Sequence, residues 1–515
     1  MAKTRGGATL VAAGIFLSRI AGLVRESIFA RYFGDSVAAD AFRAAMRIPN
    51  FLQNLFGEGV LSASFIPVYA GLLAHEKRED AGRVAGAIFA ILALLTSLLV
   101  LIGVLATPLF IDLIAPGFKA DKKDLTISLV RILFPGAGLL VLSAWCLGIL
   151  NSHRRFFLSY SVPVLWNAAM IAALVGFGPH ANQDRLAAIV AWASVIGSAA
   201  QFLVQVPVVL RLVPALRVNL STQLEGVRTV VRNFGPVFVS RGVVQLSAYI
   251  DSIIASWLPD GSVAALAYAQ TLYLLPVSLF GMSVSASELP AMSSAVGSSE
   301  EIAAYLRKRL VSGLRRIAFL VIPSVVAFIA LGDIVAAAIY QHGKFVHADA
   351  IYVWGILAGS GVGLLASTQG RLYSSTFYAL KDTRTPLIFA VIRVALTTLL
   401  GYLSAFPLMR LLAIDPKWGA AGLTASAGIS GWIEFLLLRH ALSKRIGSDP
   451  VGAGFLLRLW ASAIIAAAAA WAIKIELAPH LQEPRLFAAA TLLPYGLIYF
   501  ALTGPTQLRQ RLSGR

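Results

Sequence analysis

Residues 37–58 read VAADAFRAAMRIPNFLQNLFGE, and this stretch decides the fold class. On a helix with 100° per residue, six polar residues fall within about 80° of the circumference. They are Asp40, Arg43, Arg47, Asn50, Asn54 and Glu58. Apart from Gln53, the rest of the surface is apolar or small. This pattern predicts a helix that faces lipid on one side and lines a polar interior on the other. Pro49 and Gly57 predict an interruption of this helix. The alternative is an internal salt-bridge ladder along the same helix.

The composition indicates a membrane protein. Of 515 residues, 58% are hydrophobic and 13% are charged, whereas soluble domains carry about 25% charged residues. The net charge of +18 would indicate nucleic acid in a soluble chain, but here the basic residues lie mostly in short loops between apolar runs. That distribution encodes membrane topology and argues against nucleic-acid binding. Cys146 is the single cysteine, so the chain makes no internal disulfide and no Cys-rich metal site.

The apolar runs predict an all-α polytopic membrane protein with about fourteen transmembrane helices, because about 20 apolar residues cross a bilayer. The predicted spans are 8–30, 37–72, 82–110, 124–150, 156–178, 185–211, 227–257, 262–293, 312–340, 348–379, 385–410, 417–440, 453–475 and 484–504. The first span is interpreted as a retained helix and not as a signal peptide. Arg19 and Arg25 directly follow the apolar stretch at residues 8–17, and no convincing cleavage site is present.

Lys and Arg in the loops predict the orientation. With the N-terminus in the cytoplasm, the cytoplasmic side carries 24 of these residues and the opposite side 10. This bias places both termini inside. An amphipathic linker at 211–225 predicts two six-helix lobes, 1–222 and 223–446, around a central cationic cavity, with two further helices and a tail in 447–515. Pseudo-symmetric halves of this kind are common among transporters.

Nine arginines lie in the interior of the predicted spans, whereas those near the span ends are counted with the loops. Arginine at the bilayer centre is costly, so each must face water, pair with an acid or snorkel to an interface. Snorkelling explains Arg131, Arg393 and Arg458. The polar stripes lie on predicted helices 1, 2, 7, 8 and 10. The predicted substrate-binding residues are Arg19, Arg25, Asp40, Arg43, Arg47, Glu58, Arg241 and Arg371.

A cationic cavity selects an anion, and arginine suits phosphate because its planar fork donates paired hydrogen bonds. The predicted substrate is a phosphate or pyrophosphate compound whose lipid tail stays in the bilayer. Asp251 is predicted either to bind a coupling cation or to pair with an arginine.

No P-loop, HExxH or nucleophile-elbow motif is present, so an ATP-driven transporter or soluble enzyme is not expected. Gly359–Gly363 is interpreted as close helix packing. No metal or cofactor is expected, and no oligomer is implied.

Several motifs, in order along the chain, resemble the MurJ (MviN) lipid II flippases of the MOP exporter superfamily. They include Ser18-Arg19-Ile20-Ala21-Gly22 with Arg25-Glu26, Ala39-Asp40-Ala41-Phe42, Ile48-Pro49-Asn50, Phe56-Gly57-Glu58-Gly59, Tyr340-Gln341-His342-Gly343-Lys344-Phe345 and Lys381-Asp382-Thr383-Arg384-Thr385-Pro386. The resemblance implies a fourteen-helix transporter in the bacterial cytoplasmic membrane. It also implies transport of undecaprenyl-pyrophosphate-linked peptidoglycan precursor to the outer leaflet by alternating access. The charged cavity makes transport sensitive to the membrane potential, and coupling to Na⁺ or H⁺ is the other expected energy source. This sequence departs from the pattern at Gln53 and Thr271, where many relatives have arginine, and at Leu274, where they have an acid.

Three other interpretations stay open at this point. The first is a flippase for another polyprenyl-linked glycan or a drug exporter of the same superfamily, although a cationic drug favours an acidic cavity. The second is a membrane glycosyltransferase or ligase, which needs an acidic catalytic motif at a loop. The third is a scaffold, which has no need of buried arginines.

Overall fold

All helical and strand elements in the part of the chain that the computed structural model describes are helices, joined by short loops. That part comprises the backbone of residues 2–57, 60–61, 64–447 and 451–513, with the side chains of these ranges except 2–13, 15, 236–248 and 505–513. The helices form two compact units, residues 1–264 and 265–515. The predicted division into 1–222, 223–446 and 447–515 remains a prediction.

The first unit contains ten helices and the start of an eleventh within these described residues. They are α1 (Ala2–Phe33), α2 (Val37–Phe56), α3 (Ile66–Ala74), α4 (Arg78–Leu105), α5 (Thr107–Ile114), α6 (Ala120–Ser152), α7 (Phe156–Ser161), α8 (Pro163–Phe177), α9 (Gln183–Leu212), α10 (Glu225–Ala255) and α11 (Ser262–Pro276). Helix α2 packs against α6, α1 against α7 and α8, and α6 against α9. These contacts bring α1, α2, α6 and α8 together around the charged residues described below.

The second unit continues α11 through a π-helical stretch, Val277–Met282, into α12 (Ser283–Ser293). Its other helices are α13 (Ser299–Ala330), α14 (Gly332–Tyr340), α15 (His347–Ala379), α16 (Arg384–Ala405), α17 (Pro407–Leu411), α18 (Gly419–Ile446), α19 (Ala453–Leu477) and α20 (Pro484–Ser513), with a 3₁₀ turn at Pro416–Trp418. Helix α18 packs against both α15 and α16, and α13 packs against α15.

The predicted all-helical membrane fold is confirmed. Eleven helical segments within the described residues are long and apolar enough to cross a membrane. The three other predicted spans coincide with α1, with α2 plus α3, and with α10. These three carry polar residues along one face and belong to the helices that the sequence predicts to line a polar interior.

The predicted interruption of the second span is confirmed at Gly57. Helix α2 continues through Pro49 and ends at Phe56. Residues 60, 61 and 64 are again helical, and α3 begins at Ile66. A Cβ atom at position 57 would overlap the carbonyl oxygen of Gln53, to which the Gly57 N–H donates a 2.7 Å hydrogen bond. Glycine is therefore required at this turn by close approach of the backbone.

The glycine-rich stretch of α15 is a packing surface, as predicted. A Cβ atom on Gly359 would lie 2.5 Å from the Thr424 hydroxyl oxygen, and one on Gly363 would overlap Gly428. Both neighbours belong to α18, so the missing side chains let two helix backbones approach closely. This contact fixes α18 against α15 and thereby positions the charged residues that both helices carry.

Candidate functional site

Glu26 is the centre of a charged cluster in the first unit. Its carboxylate accepts hydrogen bonds from Arg25 of the same helix, at 2.5 Å, and from Arg43 of α2. The side chain of Glu26 is 5% exposed, and those of Arg25 and Arg43 are 16% and 13% exposed. Two guanidinium groups on one carboxylate leave a net charge of +1 inside the transmembrane part of the unit.

Aromatic rings hold both guanidinium groups in place. Arg25 lies over the ring of Trp166 in α8, at 4.7 Å from the guanidinium carbon to the ring centroid. Arg43 lies over Phe29 of α1 at 4.4 Å. Cation–π contacts at these distances are favourable and restrict the side-chain rotamers. The sequence predicts both arginines but not Trp166 or Phe29, since an apolar aromatic residue in a span carries no signal of such a role.

Asp40 is the most enclosed of the predicted site residues whose side chains the structure describes. It has 0% exposure and accepts hydrogen bonds from Lys122 Nζ at 2.6 Å, Gly261 N at 2.8 Å and Ala264 N at 2.7 Å. Lys122 also contacts Asp260 at 2.8 Å. Asp40 therefore binds groups of the protein itself, and ties α2 to α6 and to the first turn of α11. Lys122 was not predicted, because nothing in its sequence neighbourhood marks a buried lysine.

Arg47 and Asp251 are near each other, as one of the two interpretations of Asp251 requires. Arg47 interacts electrostatically with Asp251 and with Tyr249 of α10 and is repelled by Arg43. The Tyr249 hydroxyl donates a 2.7 Å hydrogen bond to the Arg47 carbonyl oxygen. This contact fixes α10 against α2 at the level of the charged stripe.

The remaining predicted residues of the first unit are less informative. Arg19 is exposed on α1. Glu58 and the side chain of Arg241 lie outside the described residues. The arrangement of Arg19, Glu58 and Arg241 around a substrate therefore stays a prediction.

The second unit holds a cluster of its own at Glu434 of α18. Arg393 of α16 contacts its carboxylate at 3.0 Å between Nε and Oε2. The predicted site residue Arg371 of α15 is exposed and attracts Glu434 electrostatically. Snorkelling, the explanation given by the sequence for Arg393, is replaced by an ion pair with an acid on the neighbouring helix.

Glu288 of α12 also has cationic partners. Glu288 is 4% exposed and contacts Arg309 at 2.8 Å and Arg316 at 3.8 Å, both on α13. Thr271, where many relatives of the resembled family have arginine, donates its hydroxyl to the Ala267 carbonyl oxygen of its own helix at 3.0 Å. Among the described residues, no group of three or more His, Cys, Asp or Glu side chains has the geometry of a metal site.

Apolar helices of membrane-spanning length, with arginine–glutamate clusters inside them, define this chain as a multi-pass membrane transporter. The solved structures with this fold include an inward-facing MATE family transporter of the MOP superfamily. It has a TM-score of 0.66 and 17% identity over 84% of this chain and 96% of that one. At this identity the likeness concerns the fold alone.

The family profile described as "Lipid II flippase MurJ" matches residues 29–487. The lipid II flippase MurJ of Burkholderia cenocepacia is 33% identical over 437 residues, which cover 83% of this chain and 82% of the relative. The probable lipid II flippase MurJ of Rhizobium meliloti is 31% identical and covers 97% of this chain and 91% of its own length. A solved structure titled "Lipid II flippase MurJ, inward closed conformation" has a TM-score of 0.78 and 25% identity over 98% of this chain and 100% of that one. The chain belongs to the lipid II flippase MurJ family, which confirms the resemblance found in the motifs.

Proposed function

We propose that this protein moves lipid II, the undecaprenyl-pyrophosphate-linked peptidoglycan precursor, from the inner to the outer leaflet of the bacterial cytoplasmic membrane. Family membership supports a flippase, and the observation that carries the substrate is the cluster of Arg25, Glu26 and Arg43. Guanidinium groups stay charged in a protein interior and bind phosphate oxygens through paired N–H donors. Glu26 and the aromatic rings orient both groups before substrate arrives.

Transport follows alternating access in this proposal. The pyrophosphate and its sugars enter a site that is open to one side of the membrane at a time, while the polyprenyl tail remains in lipid. A charged site makes the step sensitive to membrane potential, by about 2.3 kcal/mol per charge per 100 mV. Coupling to Na⁺ or H⁺ through Asp251 is the alternative energy source.

The decisive test is complementation of a bacterial strain depleted of its own lipid II flippase. The wild-type chain should restore growth, and Arg25→Ala and Arg43→Ala should abolish it at equal membrane levels. Arg83→Ala is the matched control, because Arg83 forms a 3.5 Å surface pair with Glu79. Failure of the correctly inserted wild-type chain would remove lipid II as the substrate and leave another polyprenyl-linked glycan as the candidate.

The roles of Arg241 and Arg371 are tested in the same strain. Both are proposed to add positive charge toward the substrate in a chain that has Gln53 and Thr271 in place of arginines. Arg241→Ala and Arg371→Ala should each reduce complementation. Normal growth with both variants would exclude them from the site.

The energy source and orientation need separate measurements. In proteoliposomes, translocation of fluorescent lipid II should change with an imposed K⁺ diffusion potential and, if Asp251 couples a cation, with Na⁺ or pH in the wild type but not in Asp251→Asn. Reporter fusions should place both termini in the cytoplasm, as the excess of 24 over 10 basic loop residues predicts.

A further inference from the structure

The ion pair between Arg393 and Glu434 lies deep in the second unit. Glu434 is about 22 Å along α18 from Gly419 and about 18 Å from Ile446, at 1.5 Å per residue. Arg393 is about 14 Å from the start of α16 and about 18 Å from its end. Both positions fall within the hydrocarbon depth of a bilayer, where charges are rare and functional.

Two more helices bring polar groups to the same place. Arg371 projects from α15 and acts on Glu434 together with Arg393. The hydroxyl oxygens of Tyr273 on α11 and Ser367 on α15 lie 2.8 Å apart. Tyr273 also interacts electrostatically with Arg371 and Arg393. Four helices of the second unit thus contribute to one polar cluster.

The charges of this cluster do not balance. One guanidinium group, that of Arg393, contacts the carboxylate, and that of Arg371 acts on it from further away, so Arg371, Arg393 and Glu434 together carry a net charge of +1. Neither arginine can lose its proton to relieve the excess. The Arg393 side chain is 39% exposed and that of Glu434 18% exposed, so protein atoms do not fully enclose the pair. An anion with several oxygens can bind both guanidinium groups in the geometry that arginine prefers.

We propose that Arg371 and Arg393 form a second binding site for the pyrophosphate group, and that Glu434 is a resident counter-ion which this group displaces from Arg393. The inference rests on the proposed function and adds two residues, Arg393 and Glu434, that the sequence did not assign to the substrate. Without substrate, Glu434 neutralises Arg393. When pyrophosphate binds, its oxygens replace the carboxylate on the guanidinium, and Tyr273 and Ser367 supply hydroxyl donors.

An exchange site and a purely structural ion pair predict different changes in anion affinity when Glu434 or Arg393 is replaced. A structural pair loses stability when either partner is removed, and neither change alters anion binding in a consistent direction. In an exchange site, Glu434 competes with the ligand. Removal of Glu434 therefore strengthens pyrophosphate binding, whereas removal of Arg393 weakens it.

The experiment measures binding of inorganic pyrophosphate and of geranyl pyrophosphate to the purified full-length protein in phosphatidylcholine nanodiscs, by isothermal titration calorimetry. Glu434→Gln should tighten binding of both by about three- to tenfold, and Arg393→Gln and Arg371→Gln should weaken it by about tenfold. Arg458→Gln is the matched control within a span, because Arg458 donates to the Leu502 carbonyl oxygen of α20 and lies outside the cluster. It should change the affinity by less than about twofold.

Equal or same-direction effects of Glu434→Gln and Arg393→Gln would overturn the proposal. If Glu434→Gln does not fold, Glu434→Met gives the same readout without a polar group. Arg393→Lys keeps the charge but loses the fork, so it should restore part of the affinity lost in Arg393→Gln.

The source of the anion is decided by repeating the titrations with phosphatidylglycerol in the nanodiscs. Unchanged pyrophosphate affinity supports a site for the substrate group, and competition by phosphatidylglycerol overturns it in favour of a membrane-lipid site. Failure is distinguishable from failure of the proposed function. If the chain fails to complement but Glu434→Gln still tightens and Arg393→Gln still weakens pyrophosphate binding, the proposed function is wrong and the second site is retained. If the chain complements but these two binding effects are absent, only the second site is excluded.

Discussion

The two units each place two arginines on one glutamate within the membrane, and they do so differently. In the first unit, Glu26 is 5% exposed and bonded directly by both arginines, each of which also lies on an aromatic ring. In the second, Glu434 is 18% exposed and contacts Arg393 at 3.0 Å, while Arg371 acts from further away.

The difference separates a preorganised cluster from an exchangeable one. A carboxylate with all its strong donors in place holds the arginines rigidly, and breaking it exposes an uncompensated buried charge. A carboxylate that protein atoms enclose less completely contributes less and can give way to another anion. The loss of unfolding free energy on replacing each carboxylate should therefore increase with its burial and with the number of direct hydrogen bonds it accepts.

The largest effect is expected for Glu26→Gln. The amide leaves Arg25 and Arg43 buried without their counter-charge, which should lower the free energy of unfolding by about 4 kcal/mol. Denaturant titration of the purified protein in detergent measures this value. Glu79→Gln, which removes an exposed partner of Arg83, is the control and should cost no more than about 0.5 kcal/mol. Similar losses of unfolding free energy for the two variants would mean that the Glu26 cluster stabilises the fold no more than a surface ion pair does.

A second buried carboxylate tests whether the rule holds outside the arginine clusters. Lys122→Met removes the cation from Asp40 but leaves the N–H groups of Gly261 and Ala264 in place. The expected cost is about 3 kcal/mol. The adjacent Lys123→Met is the matched control, because Lys123 pairs with Asp112 near the surface, and it should cost less than about 1 kcal/mol. Equal unfolding midpoints for the two lysine variants would contradict the prediction.

A smaller loss of stability is expected for Glu434→Gln. Its partner Arg393 is 39% exposed and is therefore less confined by protein than Arg25 or Arg43, so the free energy of unfolding should fall by about 1 kcal/mol. The measurement is the same denaturant titration that is used for Glu26→Gln. A cost equal to that of Glu26→Gln would mean that the second cluster is as closed as the first.

The smallest effect is expected for Asp382→Asn, in the loop before α16. The Thr385 N–H and hydroxyl donate to Asp382 at 3.0 and 2.7 Å, and Arg445 contacts it at 2.7 Å. The backbone hydrogen bond from Thr385 is the first cause that lowers the pKa of Asp382 below its ordinary 3.8, followed by the Thr385 hydroxyl. We expect the substitution to cost about 0.5–1 kcal/mol at neutral pH.

The pH dependence of this variant follows from the sign of that shift. A lowered pKa in the folded state means that Asp382 contributes its stability above the unfolded value of 3.8 and loses it as the pH falls through the lower folded value. The difference between wild type and Asp382→Asn should therefore shrink in unfolding titrations carried from pH 6 to below pH 4. A difference that grows on acidification would show that the charge of Asp382 is not what stabilises the loop.

Much of the fold was predictable because helix periodicity and hydropathy are local properties. The spans, the break at Gly57 and the polar face of α2 follow from residues within one or two turns of each other. The same rule predicted the tight packing at Gly363. The candidate site was less predictable. Arg25 and Arg43 were found from their positions in apolar runs, but the central role of Glu26 was not.

The sequence by itself determined a multi-pass helical membrane protein, the helices that carry charge and, through its motifs, the family. Tertiary structure alone decided which charges meet: Arg43 with Glu26, Lys122 with Asp40, and Arg393 with Glu434. The physical reason is that a periodic pattern defines the face of a helix, whereas an ion pair depends on which two faces pack together and at what height. The first is written in neighbouring residues, and the second arises only when distant helices come into contact.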